Sequence, residues 1–131
     1  MTRIKPFIIY WLPVIVWMAA IFIFSSRPQF GLVNDYFTDF VLFKLLHSIE
    51  YAFLYFLWLR ALNKTTSMKT NDQLIVALYI SIFFAISDEI HQYFVPTREG
   101  KIRDIAIDIA GISIMYWYIK THFKYVVEKL L

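Results

Sequence analysis

The chain reads as an all-α membrane protein: four transmembrane helices packed around a polar pocket that faces the extracytoplasmic side. One observation of composition and two of pattern predict this. Of 131 residues, 60% are hydrophobic and 20% aromatic, more apolar surface than a soluble domain of that size can bury in one core. The apolar residues gather into four runs, each near the length that crosses a bilayer core. The polar residues that interrupt those runs recur at helical spacing, so they form stripes along helix faces.

The first run, Phe7 to Phe24, follows Arg3 and Lys5. As a helix it is about 27 Å long, and no small-x-small cleavage site follows it, so a retained span is expected rather than a signal peptide. Pro13 is tolerated inside it. Residues 25–40 hold Pro28, Gly31 and Asn34 and lack a sustained helical period. They are expected as a loop, re-entrant in one arrangement, that ends near a helix cap at Asp39. The second run, Leu42 to Leu62, has Lys44, His47 and Glu50 in its first half. A polar connector over residues 60–73 precedes the third, and Thr70 followed by Gln73 has the pattern of a capping box. The third run extends from Leu74 to Phe94 and becomes polar at Ser87, Asp88, Glu89, His91 and Gln92 before Pro96 stops it. The fourth, Ile105 to Ile119, is short for a span, so its helix is expected to include Asp104 and run toward Phe123. The expected spans are 7–24, 42–62, 74–94 and 104–121, in a single domain of residues 1–131.

Basic residues set the expected orientation. Arg3, Lys5, Arg60, Lys64, Lys69, Lys120, Lys124 and Lys129 fall on one side, against Arg27, Lys44, Arg98, Lys101 and Arg103 on the other. Both termini are therefore expected in the cytoplasm, with Tyr10, Trp11, Tyr116, Trp117 and Tyr118 in a cytoplasmic aromatic belt. The same scatter of basic residues argues against a nucleic-acid footprint, and the net charge is only +3. Cysteine is absent, which excludes disulfides, thiolate metal sites and a cysteine nucleophile.

On the second helix Lys44, His47, Glu50 and Tyr51 share a face. On the third, Asp88, His91 and Gln92 lie on one side with Glu89 at its flank, and Ser81 sits two turns below Asp88. On the fourth, Asp104, Asp108 and Gly111 follow i, i+4, i+7 spacing. Ionisable groups at membrane depth cost several kcal/mol each unless paired or hydrated, so the three stripes must converge.

This ordered set of motifs resembles the VanZ-like family over nearly the whole chain. The matching pieces are Phe24-Ser25-Ser26; Lys44-x-x-His47-x-x-Glu50-Tyr51; Asp88-Glu89-x-His91-Gln92-x-Phe94-x-Pro96-x-Arg98; and Asp104-x-x-x-Asp108-x-x-Gly111. The resemblance implies a small multi-helix membrane protein. The family takes its name from a member associated with teicoplanin resistance, and no settled reaction comes with the name. Thr97 stands where the family often has Gly, and Arg27 follows the serine pair where Gln is common.

Each polar group has a functional and a structural reading. His47 and His91 could ligate a metal, but Lys44 would repel a cation, which favours hydrogen-bonded histidines and no metal site. Ser25 and Ser26 offer a nucleophilic hydroxyl if a histidine lies within hydrogen-bond reach, and otherwise cap the turn. Asp88 and Glu89 serve as carboxylate and general acid, or one pairs with Arg98 or Arg103 while the other is hydrated. Lys44 binds phosphate or snorkels. Arg98, Lys101 and Arg103 clamp an anion, or form a solvated loop with Glu99 and Asp104. Gly111 permits close helix packing.

Three functional classes follow. The preferred one acts on or binds an anionic membrane lipid or lipid-linked cell-envelope intermediate, with effects on teicoplanin sensitivity as the resemblance implies. Lys44, Arg98 and Arg103 would hold phosphate, and Ser25, Ser26, Gln92 and Asp104 would complete the binding set. If it is an enzyme, the reaction is phosphoryl transfer or hydrolysis, with His47 or His91 as nucleophile or base and Glu50, Asp88, Glu89 and Asp108 orienting histidine or moving the proton. The second class binds or masks an envelope component without chemistry. The third is a scaffold whose charged residues form a structural ion-pair network. Four short helices without internal repeats weigh against transport, and nothing in the sequence specifies a cofactor.

Overall fold

The computed structural model describes residues 4–27, 35–96, 98 and 101–130, with side chains from Phe7 onward. Five helices follow one another: α1 (Ile4–Ser25), α2 (Tyr36–Thr65), α3 (Thr70–Tyr93), α4 (Ile102–Thr121) and α5 (Phe123–Lys129). No strand occurs among the described residues. α1, α2 and α3 are long and apolar enough to cross a membrane. α4 has 20 residues but carries Arg103, Asp104, Asp108 and Lys120, and it falls outside that set.

The boundaries differ from expectation at three places. The cap of α2 is Asp35, not Asp39: its carboxylate accepts from the Thr38 amide at 2.9 Å and from the Thr38 hydroxyl at 2.5 Å. Asp39 lies in the first turn, where a carboxylate still favours the helix dipole, so residues 36–40 are helix rather than loop. Residues 28–34 of the expected loop, with Pro28, Gly31 and Asn34, lie outside the described residues. The capping box at Thr70 does not form, because Thr70 is already helical and Lys69 caps without a side-chain bond. Gln73 is used elsewhere: its amide donates to the Met68 carbonyl at 2.7 Å and accepts from Asn63 at 3.1 Å, tying the turn to the end of α2. Finally, α4 starts at Ile102 rather than at 104 and ends at the expected Thr121, and the short α5 follows a break at His122.

α2 is the centre of the bundle and packs against α1, α3 and α4. Its second half accordingly buries residues around most of its circumference, among them Tyr51, Leu54, Tyr55, Leu59 and Leu62. The outer helices bury single stripes. α1 turns Val14, Ile21 and Ser25 inward. α3 buries Leu74, Ala77, Ser81, Ala85, Asp88 and Gln92, and α4 buries Asp104, Asp108, Gly111, Ile112 and Ile119. These are the i, i+3, i+4 positions of one helix face. The carboxylates therefore occupy core positions at one end of the bundle, and aliphatic residues occupy the same stripe further along.

Gly111 sets the closest approach of α4 to α2. A Cβ there would stand 2.3 Å from the Ser48 carbonyl oxygen and 2.5 Å from its Oγ, so only glycine lets the two backbones come this near. At the opposite end of the bundle, Trp11 donates to Thr65 at 3.0 Å, and Arg60 and Lys120 lie over the rings of Tyr10 and Tyr116.

Candidate polar site

Asp88 is the best-connected group of the polar end. It is almost fully buried on α3 and accepts from Ser25 of α1 at 2.5 Å, from Tyr51 of α2 at 2.9 Å and from Gln92 one turn on at 2.9 Å. Gln92 in turn accepts from Arg98 at 3.1 Å. The other guanidinium nitrogens donate to the carbonyls of Phe24 at 3.1 Å and Arg27 at 2.8 Å. Arg98 thus ties the end of α1 to α3 and reaches Asp88 through Gln92, with no direct ion pair. Burial pushes its pKa down, and Asp88, Glu89 and Glu50 oppose that shift.

A second network links α2 to α4. Lys44 Nζ lies 2.6 Å from Asp104, whose other oxygen is 3.4 Å from Arg103, and the Arg103 guanidinium also sits over the Phe40 ring. Glu89, buried on α3, accepts from the Lys101 backbone amide at 2.7 Å. Neither Arg98 nor Arg103 pairs directly with Asp88 or Glu89 among the described contacts.

His47, Glu50 and Asp108 lie among these groups but are less well served. His47 Nδ1 is 3.5 Å from Glu50, long for a hydrogen bond, and it is buried without a hydrogen-bond partner. Asp108 is buried and shares its electrostatic neighbours Lys44, Asp88 and Asp104 with His47. His91 lies apart on the α1 side: its Nε2 is 2.9 Å from Ser26 Oγ and its ring stacks on Phe22 at 4.3 Å. The Ser26 hydroxyl donates to the Phe22 carbonyl at 2.6 Å, and the Ser25 hydroxyl, whose shorter contact is to Asp88, lies 3.0 Å from the same oxygen. They close the end of α1 and each touches an α3 side chain.

Two contributors were not among the expected site residues. Tyr51 shares the His47 face, but nothing in a helical period reveals that its hydroxyl meets Asp88. Trp17 of α1 donates to the Glu50 carbonyl at 3.0 Å, a contact with no sequence signal.

Beside the cluster, a groove of about 300 Å³ opens between the end of α3 and the start of α4. Ile90, Tyr93, Phe94, Ile102 and Ile105 line it, with Glu89 and Lys101 at its polar edge.

Fold and site together define a helical membrane protein that gathers ionisable side chains at one end of its bundle. Comparison with known families is specific: the VanZ/LLP1 model matches residues 7–124, and the chain belongs to that family. No curated protein and no solved structure matches it.

Proposed function

We propose that this is a single-domain protein of the cell membrane, with α4 as its fourth span and both termini cytoplasmic. Its polar end binds the head group of an anionic lipid or lipid-linked envelope intermediate, and through it affects glycopeptide sensitivity. The observation that carries this reading is the α3–α4 groove. Its walls are apolar, as an acyl or prenyl chain requires, and its edge meets Glu89, Lys101 and the start of the polar cluster. Lys101 and Arg103 are exposed there and suit a phosphate. Lys44 holds Asp104, and Arg98 holds the end of α1, behind them.

Binding without chemistry fits better than phosphoryl transfer or hydrolysis. Ser26 and His91 are in reach of each other, but the shorter contact of Ser26 is to the Phe22 carbonyl, which takes the single hydroxyl proton away from the histidine. Asp88 faces Ser25 rather than His91. The scaffold reading draws on one specific observation, the three donors around Asp88, which would also suit a purely structural network.

The test is lipid retention. Ile105→Trp fills the groove while leaving the polar cluster untouched. Native mass spectrometry of protein purified from detergent is expected to show phosphatidylglycerol retained by the parent chain and lost from Ile105→Trp at unchanged melting temperature. Equal retention by both would remove the groove as the lipid site and favour the scaffold.

A further inference from the structure

The two adjacent carboxylates at the end of α3 are held in different ways. Asp88 takes three side-chain donors inside the bundle. Glu89 has one hydrogen bond among the described residues, from the Lys101 backbone amide at 2.7 Å. It is 5% exposed, and it lines the α3–α4 groove together with Lys101. That bond is also the one side-chain hydrogen bond described between α3 and the start of α4, and it lies at the polar edge of the groove. The apolar walls do not close on each other, since Ile90, Tyr93, Phe94 and Ile102 are each more than half exposed.

A groove read as the site of an anionic lipid thus carries a carboxylate at its edge. The surroundings suit an anion there: the Lys101 amide donates to it, and the exposed side chains of Lys101 and Arg103 stand at the same start of α4. A phosphate oxygen can make the contact that the carboxylate makes, because both accept from an amide as charged groups. The two do not share it, because an amide has one proton to donate and neighbouring anions repel.

We infer that Glu89 is an internal occupant of the groove's anion position, an autoinhibitory contact that holds the Lys101 amide until a head-group phosphate displaces it. This rests on the anionic-lipid reading above and adds its regulation. The carboxylate lowers the affinity for an anionic ligand, and it keeps the amide paired when none is bound. Once displaced, it is left at the open edge of the groove, where water reaches it.

Removing a competitor strengthens binding, whereas removing a structural contact weakens it. Purified protein is mixed, at limiting lipid, with equal amounts of phosphatidylglycerol and phosphatidylcholine of the same acyl chains, and retained lipid is read by native mass spectrometry. Glu89→Gln keeps the shape and drops the charge. It is expected to retain about tenfold more phosphatidylglycerol than the parent chain, with phosphatidylcholine unchanged. Glu89→Leu also removes the acceptor. Hydrogen exchange at its Lys101 amide should quicken without lipid and slow again with phosphatidylglycerol but not with phosphatidylcholine. If one variant does not fold, the other carries the test. Equal or lower phosphatidylglycerol retention by Glu89→Gln, in a parent that still prefers it over phosphatidylcholine, overturns the displacement and leaves the anionic-lipid reading standing. Parallel gains for both lipids trace the effect to apolar fit rather than charge and also overturn it, as does a Lys101 amide in Glu89→Leu that phosphatidylglycerol fails to protect. No phosphatidylglycerol preference in parent or variants removes the displacement together with the reading beneath it.

Discussion

Asp88 concentrates the stability of the polar end in one side chain, because three donors from three directions leave its carboxylate no unmet need. Removing one donor leaves an acceptor short in a dry environment, and the cost of that exceeds the net value of an ordinary hydrogen bond. Tyr51→Phe keeps the buried ring and deletes only the hydroxyl, so it is expected to destabilise the protein by about 1–3 kcal/mol, read as a lower melting temperature in detergent. Arg103→Gln removes an exposed cation of the polar end and leaves the three donors of Asp88 in place, so it separates function from folding. If the site binds an anionic ligand, this variant should insert and melt close to the parent yet fail to complement envelope-antibiotic sensitivity in a deletion strain. If every inactive variant is also misfolded, the network is a scaffold. At this scale the sequence showed which residues share a face: Lys44, His47 and Tyr51 on one helix, Asp88 and Gln92 on the next, Asp104 and Asp108 on the last. It did not show the pairing. Which cation meets which carboxylate depends on how one helix is rotated against another, and a period within a single helix carries no information about that. Lys44 with Asp104, and Arg98 reaching Asp88 through Gln92, are outcomes of packing.

Helix ends and helix contacts follow from short sequence features, and the features compete. Asp35 and Asp39 both suit the start of α2, and the earlier one wins because Thr38 supplies an amide and a hydroxyl to it. A periodicity search starts the helix late, since Tyr36 and Phe37 face outward and add nothing to a buried stripe. The Thr38 hydroxyl and amide hold the Asp35 carboxyl below its usual range. The folded chain therefore binds that proton less tightly than the unfolded chain. The cap contributes fully above the unfolded pKa and is lost as pH falls through the lower folded one. Amide exchange at Thr38, corrected for its intrinsic rate, is expected to quicken across that acid window, and Asp35→Asn should remove the step. Between helices, Gly111 was readable as a packing glycine, whereas its partner Ser48 was not. Gly111→Ala places a methyl against the Ser48 backbone carbonyl, which cannot swing aside as a side chain would. Overpacking of this kind costs about 1–3 kcal/mol, while Ala110→Ser on the exposed side of α4 should change stability by less than about 0.5 kcal/mol. Equal melting temperatures for the two variants would mean that α2 and α4 do not approach this closely.

The whole molecule has two unlike ends, and its proposed orientation follows from them. One end gathers Ser25, Lys44, Asp88, Arg98 and Asp104 around the starts of α2 and α4 and the ends of α1 and α3. The other holds the turn between α2 and α3, the end of α4 and α5, with Trp11, Tyr10 and Tyr116 beside Thr65, Arg60 and Lys120. Basic residues near span ends resist transfer across the membrane; against Arg27, Lys44, Arg98, Lys101 and Arg103 at the first end, Arg60, Lys64, Lys69, Lys120, Lys124 and Lys129 belong to the second. That end is expected in the cytoplasm and the polar cluster outside, where a lipid-linked envelope intermediate would meet it. Because the chain has no cysteine, a single introduced thiol reports its own side without background. Ser67, in the turn between α2 and α3, and Lys101, at the start of α4, are both exposed. With a membrane-impermeant thiol reagent on whole cells, Lys101→Cys is expected to label directly and Ser67→Cys only after permeabilisation. Reversed labelling would turn the molecule over and put the polar cluster in the cytoplasm, and an outer-face envelope ligand would then be excluded. Labelling of both without permeabilisation would mean that α3, which lies between them, does not cross, and the count of four spans would fail.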